Sequence, residues 1–204
     1  DEASQILMNG RIRSYYEDLK ELMERISVCD ARGRVVSFER GMECAIALIL
    51  RCAAKGGRLC FVGNGAGASI ASHQAVDFWK GTGIPAFSFN DAALLTCISN
   101  DFGYPKVFEK PVELFLKKGD VLLALSCSGE SENIVRASRA ALKKGAQVIT
   151  LTGFERRNRL SRLGNFNFHI PSFRYGPVEV VQHSLCHCML DTIMKSRAKK
   201  ACLR

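Results

Sequence analysis

The chain has 204 residues, 47% of them hydrophobic and 24% charged, and 29 basic against 20 acidic side chains give it a formal charge of +9. That length builds one domain with a substantial core, and the balance is ordinary for a soluble globular protein. No apolar run reaches the ~18 residues of a membrane span and the first residues lack the basic and apolar parts of a signal peptide, so a cytoplasmic protein without membrane contact is expected.

Residues 1–56 read as N-terminal helices. Ile6, Ile12, Tyr16, Leu19, Leu22, Met23 and Ile26 recur at helical spacing, and a turn at Arg32-Gly33 follows. Phe38, Met42, Ala45, Ala47, Leu48 and Leu50 then form the apolar side of a second helix that stops at Gly56-Gly57. The first helix has little to pack on alone, which suits an arm that packs on a partner subunit. From residue 57 onward strands and helices alternate. Strands are expected at 59–62, 86–89, 121–125, 148–151 and 166–170. Helices are expected at 69–80, 92–99, 104–117, 131–144 and 157–163, with a long terminal helix at 178–199. This alternation implies a parallel sheet covered on both faces, with ligands beyond the carboxyl ends of its strands. No linker divides the chain, so 1–204 forms a single domain, with an α/β core and long terminal helix over 57–204.

Two segments follow apolar strands and open helices: Gly63-Asn64-Gly65-Ala66-Gly67-Ala68-Ser69 and Ser126-Cys127-Ser128-Gly129-Glu130-Ser131. First-turn amides of a helix have no intrahelical partner, the helix dipole favours negative charge there, and serine hydroxyls add donors for phosphate oxygens. Two such turns in one domain point to a phosphorylated small molecule. The glycine spacing does not match G-x-G-x-x-G and no Walker-type lysine is present, so no nucleotide cofactor is expected.

Proton-transfer or metal-ligating groups lie on two helices. His73 and Asp77 are four residues apart, and Glu179, His183 and His187 form a second such series. An ordinary helical ion pair at His73/Asp77 and a core histidine at His183 are the plainer readings of each taken singly. Cys127 is a poor nucleophile candidate because no histidine is matched to it. The nine cysteines include no C-x-x-C pair, and Cys44, Cys52, Cys60, Cys97, Cys186 and Cys188 sit within apolar patterns, so reduced thiols are expected. Basic residues cluster at 156–162 and 195–204 without interleaved aromatics, which argues against a nucleic-acid partner.

In this order, Gly63-Asn64-Gly65, Ala71-Ser72-His73, Asn100-Asp101-Phe102-Gly103, the serine turn, the segment 148–153 and the helix over 179–187 resemble the sugar isomerase (SIS) domain family. The phosphoheptose isomerase branch is the nearest match, from about residue 11 to residue 196. The resemblance implies a three-layer sandwich, in which a flavodoxin-like five-stranded parallel sheet lies between helices with an N-terminal helical arm. It also implies a homotetramer with sites at subunit interfaces. By the same resemblance, Ser126, Ser128 and Ser131 hold a sugar phosphate, Asn64 and Asp101 contact the sugar chain, and Gly65 belongs to the same substrate site. Asp77 and His187 stand at the catalytic carboxylate and histidine positions. Some members bind zinc through positions that here read His73, Asp77, Glu179 and His187.

The implied reaction is an aldose–ketose isomerisation through an enediol, with sedoheptulose 7-phosphate giving D-glycero-D-manno-heptose 7-phosphate for surface polysaccharides. Four residues depart from the family's usual pattern. Gly67 replaces a phosphate-binding serine, Asp77 a glutamate, Glu179 a glutamine, and Glu130 a commonly neutral residue. Such changes also fit an isomerase of another sugar phosphate, a relative with amino-sugar lyase chemistry, or a non-catalytic SIS module that senses sugar phosphates or serves as an assembly partner. The Asp77/His187 pair, which a pure binder does not need, favours the isomerase.

Overall fold

The computed structural model describes residues 2–202, and the side chains of residue 8 and residues 10–197. Ile6 and the last part of the basic terminus, residues 198–204, lie outside the described side chains. Five strands run parallel: β3 (Leu59–Val62), β4 (Ala86–Ser88), β5 (Val121–Ser126), β6 (Gln147–Thr152) and β7 (Phe166–His169). Every residue of β3 and β5 is buried, the pattern of strands covered on both faces. Side chains alternate between two layers, as a period of two requires. Leu59, Phe61, Val121, Leu123 and Leu125 point to the core beneath α2 (Phe38–Ala54), α3 (Ala66–Thr82) and α7 (Tyr175–Cys202). Cys60, Val62, Leu122 and Ala124 point to the opposite core, beneath α5 (Glu109–Phe115) and α6 (Glu132–Lys143). α4 (Ala92–Phe102) closes that second layer.

With β1 (Ser27–Asp30) and β2 (Val35–Val36), the strand order is β2-β1-β7-β6-β5-β3-β4, so the expected five-stranded parallel core is present inside a seven-stranded sheet. The two extra strands correct the expectation that residues 1–56 are helical throughout. α1 (Glu2–Glu24) and α2 are joined by a hairpin, β1 (Ser27–Asp30) and β2 (Val35–Val36), which adds antiparallel to β7. Val28 drives this pairing: it is fully buried beneath α2, where a Cβ on Gly41 would lie 2.6 Å from its Cγ1. Two expected helices are also shorter than predicted. Residues 104–117 divide into a 3-10 turn at Tyr104–Lys106 and the short α5, and residues 157–163 form a loop with one 3-10 turn at Leu160–Arg162.

α2 starts at Ser37, whose hydroxyl accepts from the Arg40 amide at 3.2 Å, and its buried stripe runs Met42, Ala45, Ile49, Cys52. Along α1 the apolar side chains Ile12 and Tyr16 stay exposed, whereas Leu22 near its end is buried. No helix among the described residues is long and apolar enough to cross a membrane. The chain passes from β3 to β4 on one side and onward to β5, β6 and β7 on the other. The sheet therefore has its topological switch between β3 and β5, where both glycine/serine turns emerge.

Candidate active site

The first turn is shaped by a close backbone approach. A Cβ on Gly63 would lie 2.5 Å from the Gly67 carbonyl, so only glycine lets the end of β3 meet the first turn of α3. Gly65 is the N-cap of α3, with φ 54° and ψ −122°. Asn64 between them is locked by three hydrogen bonds with two residues. Its amide exchanges two hydrogen bonds with Asn133, at 2.9 and 2.8 Å, and its Oδ1 accepts from the Tyr104 hydroxyl at 3.1 Å.

The second turn is held by its own serines. The Ser126 hydroxyl accepts from the Gly129 amide at 3.1 Å and donates to the Ser131 hydroxyl at 3.2 Å, and Ser128 Oγ accepts from the Glu130 amide at 3.2 Å. Between the two turns lies a cavity of about 280 Å³ lined by Asn64, Gly65, Gly67, Ser126, Ser128 and Ser131, with Tyr175, Glu179 and Gln182 of α7 on its other wall. The first-turn amides of α6 open beside these serines, as an anion site requires. Cys127 lies in the same cavity, but burial first and the Glu179 carboxylate second push its thiol up to about 11, which leaves it protonated and inert.

α3 and α7 pack together and bring three imidazoles into one cluster. Ring centroids are 5.0 Å apart for His73 and His183, 5.5 Å for His73 and His187, and 4.7 Å for His183 and His187. One ligand atom from each lies within 4.8 Å of the others. His183 Nε2 is buried with no hydrogen-bond partner among the described residues. Burial, then the neighbouring His187 and His73, hold the His183 imidazole below its ordinary value, against a smaller opposing pull from Asp77. Asp77 Oδ2 sits 2.9 Å from His73 Nε2.

The positions expected to bind zinc are thus divided. His73, Asp77 and His187 meet in this cluster, whereas Glu179 lines the serine cavity. Three imidazoles with an orphaned ring nitrogen fit a borderline ion such as zinc, which takes histidine nitrogens at about 2.0–2.1 Å and keeps one position open in catalytic sites. Asp77, with Oδ2 2.9 Å from the His73 ring, stands where a carboxylate orients a ligating imidazole. Asp101 is placed elsewhere: exposed at the end of α4, its Oδ1 accepts from Asn100 at 2.9 Å, and it does not line the cavity.

Residues 14–153 match the family model described as SIS domain. The chain belongs to the SIS domain family. Its relatives include phosphoheptose isomerases. It is 33% identical over 195 residues to phosphoheptose isomerase of Proteus mirabilis (strain HI4320), covering 90% of this chain and all of that one. The same enzyme of Photorhabdus laumondii subsp. laumondii is also 33% identical over 195 residues, covering 90% of this chain and 99% of that one. Among solved structures, phosphoheptose isomerase from Neisseria gonorrhoeae superposes with a TM-score of 0.80 at 27% identity, over 91% of this chain and 98% of that one. By its likeness to these isomerases over most of its length this SIS-domain protein is an enzyme.

Sequence reasoning missed Tyr104 and Asn133 at the site. Nothing local marks them, because their roles depend on how the 3-10 turn Tyr104–Lys106 and α6 pack against the first turn. His183 carried a signal, its place between Glu179 and His187, but only the packing of α3 on α7 brings it to His73.

Proposed function

We propose that this enzyme interconverts sedoheptulose 7-phosphate and D-glycero-D-manno-heptose 7-phosphate, an aldose–ketose isomerisation through an enediol. The observation that carries this reading is the position of the serine cavity one helical turn from the imidazole cluster. Glu179 in the cavity and His183 in the cluster are four residues apart on α7, about 6 Å along the axis. An extended seven-carbon sugar phosphate spans ~9 Å from phosphorus to its carbonyl carbon at ordinary bond lengths, enough to reach both.

In this mechanism Ser126, Ser128, Ser131 and the first-turn amides of α6 hold the phosphate. Asn64, fixed by Asn133 and Tyr104, orients the sugar chain, and Asp101 contacts it only where a neighbouring subunit supplies that residue. The Asp77 carboxylate removes the proton from C1 of the ketose while the carbonyl oxygen at C2 gains one, giving the enediol. The His187 imidazole then delivers a proton to C2 as the O1 hydroxyl proton leaves, which forms the aldose.

His73, His183 and His187 are the residues that would hold a zinc ion, which when bound supplies polarisation of the substrate carbonyl. In that form His187 is committed as a ligand and proton transfer falls to Asp77. Exposed apolar side chains at Ile12, Tyr16, Val76 and Trp79 support self-association into the tetramer that the family resemblance implies.

The test is turnover of sedoheptulose 7-phosphate by the purified protein with and without a chelator. Activity that survives chelation assigns His187 to proton transfer, and activity lost and then restored by zinc assigns it to the ion. Saturable binding without turnover would replace the isomerase by a sugar-phosphate sensor.

A further inference from the structure

A second, larger cavity lies apart from the serine cavity. A cleft of about 590 Å³ opens at the other edge of the parallel strands, between the β1–β2 hairpin and the segment that follows β6. Arg156, Arg157 and Arg162 line it, with Asn167 and His169 of β7 on the strand side. None of the three arginine side chains has an ion pair or hydrogen bond among the described residues. The one carboxylate in the cleft, Asp30, is already taken: Arg34 Nη2 lies 2.7 Å from its Oδ2, and its Oδ1 accepts from the Arg32 and Arg34 amides at 2.9 and 3.0 Å. His169 brings no further charge, since its Nε2 is spent on the Phe154 carbonyl at 3.1 Å and burial holds its imidazole below the ordinary value.

The segment carrying Arg156 and Arg157 is fixed at both ends, and Arg162 follows it in the 3-10 turn Leu160–Arg162. At its start Phe154 has φ 51°, a left-handed conformation unusual for an aromatic residue, and is held there by Phe173 and Tyr175, with ring centroids 5.9 and 4.9 Å away. At its end Asn158 packs so closely on Gly129 that a Cβ there would lie 2.1 Å from Asn158 Oδ1. The Arg159 amide donates to Glu130 at 2.8 Å, and Leu160 N–H donates to the Gly129 carbonyl at 3.0 Å. The backbone that presents the arginines is therefore held in place around a cleft whose fixed charge is positive.

We propose that this cleft is a second anion site, separate from the serine cavity, for a small molecule carrying two phosphate groups. Guanidinium groups bind phosphate oxygens in bidentate pairs, and three uncompensated ones exceed what a single phosphate dianion needs. The volume lies within the ~300–1,000 Å³ of small-molecule sites. Apart from the His169 ring, spent on Phe154, the lining holds no aromatic side chain on which successive bases of a strand would stack, which favours a compact ligand over a nucleic acid.

Titration calorimetry of the full chain with inorganic pyrophosphate tests the assignment. The wild-type protein binds pyrophosphate. Combined Arg156→Gln, Arg157→Gln and Arg162→Gln weakens that binding by about 30-fold or more, as loss of several charge-assisted contacts requires. The serine cavity can itself take phosphate, so the titration is repeated in the combined Ser126→Ala and Ser128→Ala background, where the arginine-dependent binding persists within about twofold. The three arginine side chains are exposed, and an unchanged melting temperature checks that their loss leaves the fold intact. Equal affinity in the arginine variant, loss of binding in the serine variant or no pyrophosphate binding by the wild type would each overturn the proposal. So would displacement of pyrophosphate by a single-stranded oligonucleotide that binds more tightly through the same arginines.

Discussion

Asn64 and Asn133 exchange two amide hydrogen bonds, at 2.9 and 2.8 Å, and so join the turn after β3 to the first turn of α6. Each turn alone is a short glycine- or serine-rich segment, and this pair fixes their separation. Replacing Asn133 by alanine leaves the Asn64 amide short of two partners, which destabilises by ~1–3 kcal/mol. The expected result is a rise of about tenfold in KM for the sugar phosphate with a smaller change in kcat, since a loosened pocket weakens binding in ground and transition states alike. Steady-state kinetics of Asn133→Ala beside wild type check this; an unchanged KM would remove the pair from substrate positioning.

Glu179 puts a carboxylate on the wall of the cavity that receives the phosphate. At an effective dielectric of 20 to 80 two such charges repel by about 1–4 kcal/mol at 4 Å. Glu179→Gln is therefore expected to tighten phosphate binding by ~5-fold or more and to make it less dependent on salt. Phosphate titrations at two ionic strengths measure both effects. Weaker binding in the variant would mean that Glu179 holds a cation that the phosphate needs.

Gly67 leaves space where a side chain fits. A Cβ there would meet only Leu125 atoms, at 3.8 Å, an ordinary contact. Gly67→Ser should therefore fold, gain helix propensity in the first turn of α3 and add a donor facing the cavity. One hydrogen bond to a charged group contributes roughly 1.5–3 kcal/mol, so phosphate affinity should rise by about tenfold. A lower melting temperature or unchanged phosphate affinity would show that the hydroxyl does not reach the anion.

His183 tests the imidazole cluster as a metal site. If His73, His183 and His187 share one ion, His183→Ala lowers zinc or cobalt affinity by at least ~100-fold, more than loss of a group that only orients a ligand. Glu179→Gln leaves that affinity unchanged within about twofold, because Glu179 faces the cavity instead. Metal content after dialysis and the visible spectrum of the cobalt-loaded protein report the difference without any assay of activity. The reverse pattern would return the ion to a set that includes Glu179.

Acid should destabilise the fold through His169. Burial first and then Arg156 hold its folded imidazole below the ordinary value near 6.5, against opposing pulls from the Phe154 carbonyl and Glu155. The unfolded chain then binds more protons over that interval, so stability is full above about pH 6.5 and falls as the pH drops below it. Denaturant midpoints at pH 7.5 and 5.0 should show this loss in wild type and a smaller loss in His169→Gln. An equal loss in both would assign the effect to other groups.

Much of this architecture is legible in the sequence because its signals are local. Residues 121–125 are apolar throughout, and the two turns carry their glycines and serines close together in the chain. The β1–β2 hairpin is not legible, because strands of four and two residues are too short for a period, and the buried Val28 is its main apolar anchor. The site divides along the same line. Ser126, Ser128 and Ser131 occupy consecutive chain, whereas the meeting of His73 with His183 and His187 depends on how α3 lies against α7. Asn133 and Tyr104 reach Asn64 only through tertiary packing, which no spacing rule encodes.

The central claim is that the carboxylate and imidazole of the α3/α7 cluster move a proton between adjacent carbons of a sugar phosphate. Asp77→Asn and His187→Ala should each lower kcat by about 100-fold or more while leaving the melting temperature unchanged, the scale of a lost acid–base group. The most direct measurement is proton NMR of sedoheptulose 7-phosphate turning over in D2O with the wild-type enzyme. The account predicts an aldose product with deuterium at C2, absent in Asp77→Asn. An aldose product with no deuterium at C2 under any condition, or full exchange in Asp77→Asn, would contradict it.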